Sequence, residues 1–110
     1  GSGRLRALAV TSAEPTALAP GLPTVASAGL PGYESLSIYG VFAPSKTSAA
    51  IVQLLNREMV RVLHRTDVKE LFFNAGVEAV GSTPEAFAAA IRADVARMSK
   101  VINDAGIRED

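Results

Sequence analysis

Cysteine is absent from the 110 residues, which excludes disulfides and thiolate metal sites. Excess charge is absent too: eleven Lys and Arg balance eleven Asp and Glu. That balance argues against nucleic acid or an anionic membrane as the main partner. No apolar run approaches the roughly 20 residues that cross a bilayer as a helix. The start, GSGRLR, lacks the apolar segment of a signal peptide. Gly1-Ser2 reads as a residual tag, so the chain is expected to be an excised piece with any export signal upstream. Apolar residues make up 48% of the chain, which argues against disorder. The length suits one domain or part of one.

Catalytic groups are equally scarce. The one histidine, His64, is expected at a helix C-terminus, where it is compatible with the local dipole. No oriented nucleophile, base and acid accompany it. Glu58 and Asp94 fall on polar helix faces and read as solvated rather than as a general acid–base pair. No His/Asp/Glu cluster has metal-ligand spacing, and neither G-x-G-x-x-G nor G-x-x-x-x-G-K-[ST] occurs. The expectation is a protein that is not an enzyme, with no catalytic residue, metal or cofactor.

What is present is an alternation of strand-like and helix-like segments. Arg4–Thr11 is a nearly continuous apolar run, as in a strand covered on both faces. Pro15, Pro20 and Gly21 break the chain into a loop, followed by a short helical turn over Thr24–Ala28 ended by Gly29. Leu30-Pro31-Gly32-Tyr33 has the residues of a turn. Leu36–Ala43 then reads as a second strand, with Leu36, Ile38, Gly40 and Phe42 on one face and Ser37, Tyr39, Val41 and Ala43 on the other.

Three helices are expected next. The first runs from Ser48 to about His64, capped by Thr47, with Ile51, Val52, Leu55, Met59, Val62 and Leu63 as a buried stripe. The second starts at Thr66-Asp67, with Thr66 as cap, and stops before Gly76. A short strand, Val77–Val80, precedes the third. Thr83-Pro84-Glu85 opens that helix with a capping hydroxyl, Pro at the first helical position and an acid near the positive end. Its stripe is Phe87, Ile91, Val95, Met98, Val101 and Ile102, and Gly106 ends it. Its many alanines fit either a close-packed surface or plain helix propensity, and propensity is the simpler account.

Tyr39, with Ser37 beside it, is the best candidate for a ligand contact, because a hydroxyl can donate to an oxyanion without bringing charge. The competing account is a half-buried sheet aromatic.

These segments together resemble the Bug-type receptors, the substrate-binding proteins of tripartite tricarboxylate transporters. The resemblance rests on GRLRALAVTS, LPTVASAGLPGYE, SIYGVFAP, IVQLLNREMVRVL and the tail AGVEAVGSTPEAFAAAIRADVARMSKVINDAGI. It covers nearly the whole chain. The sequence departs from many relatives at Ile38, where they carry Trp, and at Ser48, where they carry Pro. The resemblance implies an α/β fold: the C-terminal part of a two-lobed periplasmic binding protein, with short strands and three main helices packed on a small sheet. Residues 1–11 would form a strand from the other lobe or the crossover, and residues 36–110 would complete a lobe. It further implies uptake of a small carboxylate together with membrane transporter subunits and a periplasmic location, with Tyr39 and then Ser37 the residues expected to contact the ligand. The glycine-rich loops that cradle anions would lie outside this chain. The alternative is a protein-interaction or assembly module that self-associates as a homodimer or by strand swapping, because unpaired strands expose sheet edges.

Overall fold

In the computed structural model, residues 3–108 are described. The tag reading of Gly1-Ser2 and the tail carboxylates Glu109 and Asp110 lie outside them. Three helices form in the expected order: α1 (Ala49–Leu63), α2 (Thr66–Asn74) and α3 (Pro84–Asp104). α1 touches both α2 and α3.

Helix-end chemistry explains where each begins and stops. Thr83 caps α3 as expected: its hydroxyl accepts from the Ala86 amide at 3.1 Å, and Pro84 occupies the first turn. At α1 the cap is Ser48 rather than Thr47. Thr47 is taken up by a turn in which its amide donates to Pro44 O at 2.9 Å. Ser48 is left at the boundary in extended backbone, accepting from the Ile51 amide at 3.4 Å. At α2, Thr66 is the first helical residue, and the cap position falls to Arg65, which makes no side-chain capping bond. Arg65 instead reaches across the helix start to Asp67.

Both α2 and α3 end in the same motif. Past α2, Gly76 (φ +73°) donates to Phe73 O and Val77 donates to Phe72 O, each at 2.9 Å. Past α3, Gly106 donates to Asn103 O at 3.2 Å and Ile107 to Ile102 O at 3.1 Å. This paired pattern needs a left-handed residue after the cap, which glycine supplies without a Cβ clash.

The expected small sheet does not form. Among the described residues the only β pairing is a single parallel bridge between Val10 and Thr24. Val10 donates to Pro23 O and accepts from Val25 N, both at 2.9 Å. Residues 4–11, 36–43 and 77–80 have strand-like sequences but form no ladder. A strand is defined by its neighbours, and these segments make no backbone ladder with one another. The short turn over Thr24–Ala28 does form. Thr24 accepts from the Ser27 amide at 3.0 Å, and Ala28 donates to Thr24 O at 3.0 Å. The Leu30–Tyr33 turn closes through Tyr33 N to Leu30 O at 3.0 Å.

The helix stripes are in place but only partly covered: Val52, Leu63, Phe87 and Ile91 are half-buried. Ile51, Leu55, Met59 and Val62 on α1, and Val95, Met98, Val101 and Ile102 on α3, remain substantially exposed. Among the described residues no hydrophobic side chain is buried, and Thr24 alone is, at 4% exposure. The radius of gyration is 17.3 Å, against about 13 Å for a compact domain of about 100 residues. The described residues therefore do not close over a core of their own.

Candidate functional site

The segment from Leu36 to Ala43 carries the expected ligand contacts, and its two ends are fixed differently. At its start, Ser35 donates its amide to Thr11 O at 2.9 Å, which ties it to the end of the first apolar run. Glu34 meets Arg97 of α3 at 3.5 Å, and Arg97 also pairs with Asp94 one turn earlier on the same helix. Toward its end, the Phe42 ring lies 5.4 Å from that of Phe87, tilted by 50°, a favoured aromatic geometry.

Between these anchors Gly40 is crossed by the tip of Phe87. A Cβ placed on Gly40 would lie 2.1 Å from Phe87 Cζ and 2.6 Å from Cε1. Gly40 does not have a left-handed φ, so space rather than backbone conformation favours glycine here. Phe87 owes its own position to the first turn of α3, where its amide donates to Thr83 O at 2.9 Å.

Exposure along the segment follows the alternation read from the sequence. Leu36 and Ile38 are 47% and 39% exposed, while Tyr39 and Val41 are 81% and 73% exposed. Phe42 breaks the pattern at 73%, because it meets Phe87 on one side only. Tyr39 is thus an outward-facing aromatic, not a half-buried one, and Ser37 is exposed as well.

Several other ionisable groups form exposed pairs. Glu58 meets Arg61 at 2.6 Å and Arg57 at 3.5 Å, and Lys100 pairs with Asp104. Arg65 grips Asp67 with two bonds, Nε to Oδ1 at 3.1 Å and Nη2 to Oδ2 at 2.7 Å. The hydrogen bond from Arg65 holds the Asp67 carboxyl below its usual range, and the same contact raises the Arg65 guanidinium. His64 is the C-cap of α1, as its place in the sequence implied, with its amide on Val60 O.

Among the described residues no group of three His, Cys, Asp or Glu side chains could hold a metal ion, and no helix is long and apolar enough to cross a membrane. Two shallow depressions lie beside α2. One is lined by Lys69, Glu70, Phe73 and Asn74, and the other adds Thr16, Leu18 and Glu78 around Lys69 and Phe73. Neither is lined by Ser37 or Tyr39, and both are too open to enclose a small ligand as binding sites do.

Two features of this region went unread in the sequence. The Phe87–Gly40 contact had a signal, since glycine inside a strand pattern often marks a close backbone approach. The Glu34–Arg97 pair had none, because 63 positions separate the partners (97 minus 34).

A family model described as the tripartite tricarboxylate transporter family receptor matches residues 1–107. The UPF0065 protein in the clcB-clcD intergenic region of Pseudomonas knackmussii is 40% identical over 86 residues, covering 77% of this chain and 51% of that protein. Protein BugT of Bordetella pertussis is 33% identical over 107 residues, covering 97% of this chain and 33% of that protein. Among solved structures, R. palustris Rpa4515 with adipate is similar with a TM-score of 0.71 and 36% identity, over 90% of this chain and 33% of that one. The chain thus spans about half the length of the first relative and about a third of the other two.

Proposed function

Because the chain belongs to the tripartite tricarboxylate transporter receptor family, we propose that it is the C-terminal part of a periplasmic solute receptor. In this reading the receptor binds a small carboxylate without transforming it and delivers it to membrane transporter subunits. Residues 1–11 would belong to the other lobe or the crossover, and residues 36–110 would complete one lobe. The observation that carries the reading is the likeness, at 36% identity and a TM-score of 0.71, to a protein solved with adipate, a dicarboxylate. The partly covered stripes of α1 and α3 support it too, since a longer chain supplies what an apolar helix face requires.

The chemistry assigned to the site is neutral donation. The Tyr39 hydroxyl, exposed on the 36–43 segment, would donate to a carboxylate oxygen, with Ser37 as a second donor. Backbone amides at helix starts and bridging water would complete the recognition. Self-association is set aside: the matches to longer receptors account for the exposed apolar segment without a second copy.

The test is calorimetric titration of adipate and shorter dicarboxylates into a receptor of family length carrying this sequence. Losing a hydrogen bond to a charged oxygen costs about 1.5–3 kcal/mol. Tyr39→Phe should therefore weaken binding by about tenfold or more, and Ser37→Ala by less. Unchanged affinity in Tyr39→Phe removes Tyr39 from the site.

A further inference from the structure

We propose that Phe87, Gly40 and Phe42 form a positioning clamp that sets which way Tyr39 faces, so that Gly40 and Phe87 govern ligand selectivity without touching ligand. This inference rests on the carboxylate-receptor reading above.

The clamp works from one side of the segment only. Phe87 lies across the Gly40 backbone and beside the Phe42 ring. Along an extended segment neighbouring side chains point to opposite faces. Contact of the Phe87 ring with the Gly40 backbone and the Phe42 ring puts residues 40 and 42 on the α3 side, and alternation then puts residues 37, 39 and 41 on the outer face. Tyr39, at 81% exposure against 39% for Ile38, agrees, while Phe42 stays as exposed as Val41. The clamp also has a fixed base. Phe87 sits at the fourth position of α3, where Thr83 and Pro84 order the first turn. The Glu34–Arg97 pair holds the start of the segment to the same helix three turns further along. The aromatic contact is the stronger of the two attachments to α3, and the ion pair adds a weaker one at the start of the stretch bearing Ser37 and Tyr39.

Glycine at position 40 leaves room for this ring. Its backbone conformation is open to any residue, yet an added methyl would meet three ring carbons of Phe87 at 2.1 to 2.9 Å. Such overlap is relieved only by moving the ring or the segment. Because Phe87 is packed against both Gly40 and Phe42, we infer that the segment gives way, which changes the presentation of Tyr39, next in the chain.

The experiment uses the family-length receptor carrying this sequence, with adipate and succinate as probes. Affinities by calorimetry are compared for the unaltered protein, Gly40→Ala, and Gly40→Ala combined with Phe87→Leu, which removes the ring tip. Gly40→Ala is expected to weaken adipate about tenfold, to change the adipate-to-succinate affinity ratio, and to shift the Tyr39 ring resonances. The double variant should recover most of the affinity, the ratio and the resonances. Gly40→Ala with unchanged affinities and Tyr39 signals overturns the clamp. So does an equal loss for both acids that tracks a loss of folded protein and is not recovered in the double variant. If the unaltered receptor binds neither acid nor any other small carboxylate, the carboxylate reading fails and takes this inference with it, an outcome distinct from the first two.

Discussion

Single residues decide how the helices start. Thr83, with its 3.1 Å bond to Ala86, is a full cap, and its replacement by alanine should cost about 1 kcal/mol. Ser48→Ala should cost less, because its bond to Ile51 is stretched to 3.4 Å, and Thr47→Ala should cost least. Urea unfolding of the family-length receptor ranks the three, and a loss at Thr47 larger than at Ser48 would return the cap to Thr47. Asp67 has a testable acidity. Its bond from Arg65 holds its carboxyl below the usual range, so the contribution of the pair to stability is fully present above the unfolded value. It fades as pH falls through the lower, folded value. Arg65, shifted upward, stays charged throughout. Following the Asp67 carboxyl carbon by NMR during acid titration should show a midpoint below that of a free aspartate. Arg65→Ala should bring it back. Because the pair is fully exposed, added salt should weaken the effect.

At the scale of elements, the joint between the 36–43 segment and α3 is the contact most open to measurement. An aromatic pair of this geometry contributes about 0.5–1.5 kcal/mol beyond its buried area. A double-mutant cycle with Phe42→Ala and Phe87→Ala should therefore give a coupling of about 1 kcal/mol. Additive single losses would mean the rings meet without stabilising each other. The ion pair at the other end of the joint is weaker. Arg97 is divided between Glu34 and Asp94 at a partly solvated site, and such pairs contribute about 0–1 kcal/mol. The helices themselves were legible because their signals are local. Thr83-Pro84-Glu85, the apolar spacing of Ile51, Leu55 and Met59, and Gly76 and Gly106 all act within a turn or two. The strands were not, because Arg4–Thr11 and Leu36–Ala43 carry a propensity that becomes a strand only when another backbone lies alongside.

At the scale of the whole molecule, the described residues behave as a set of helices and connections without an interior. No hydrophobic side chain among the described residues is buried, and burial is the main source of folding free energy. The 110-residue chain studied alone should bind a hydrophobic dye such as ANS and unfold over a broad denaturant range. A receptor of family length should unfold sharply and bind little dye. A sharp, two-state transition of the isolated chain would show that it closes a core this structure does not have. Sedimentation adds a check on the self-association set aside above. A mass that doubles with concentration in the family-length receptor would restore it.

The residues alone determined the three helices, their stops, the turn at Leu30–Tyr33 and the family, because each depends on neighbours in sequence or on the order of short motifs. They also singled out Tyr39 and Ser37 as the hydroxyls worth testing. Tertiary structure decided the rest. It withheld the sheet, turned Tyr39 to solvent, and brought Phe87 onto Gly40 and Arg97 onto Glu34. The physical reason is one of range. Caps and turns are satisfied within a few residues, whereas a ladder, a covered stripe or a ring across a backbone requires partners whose distance in space no local pattern encodes.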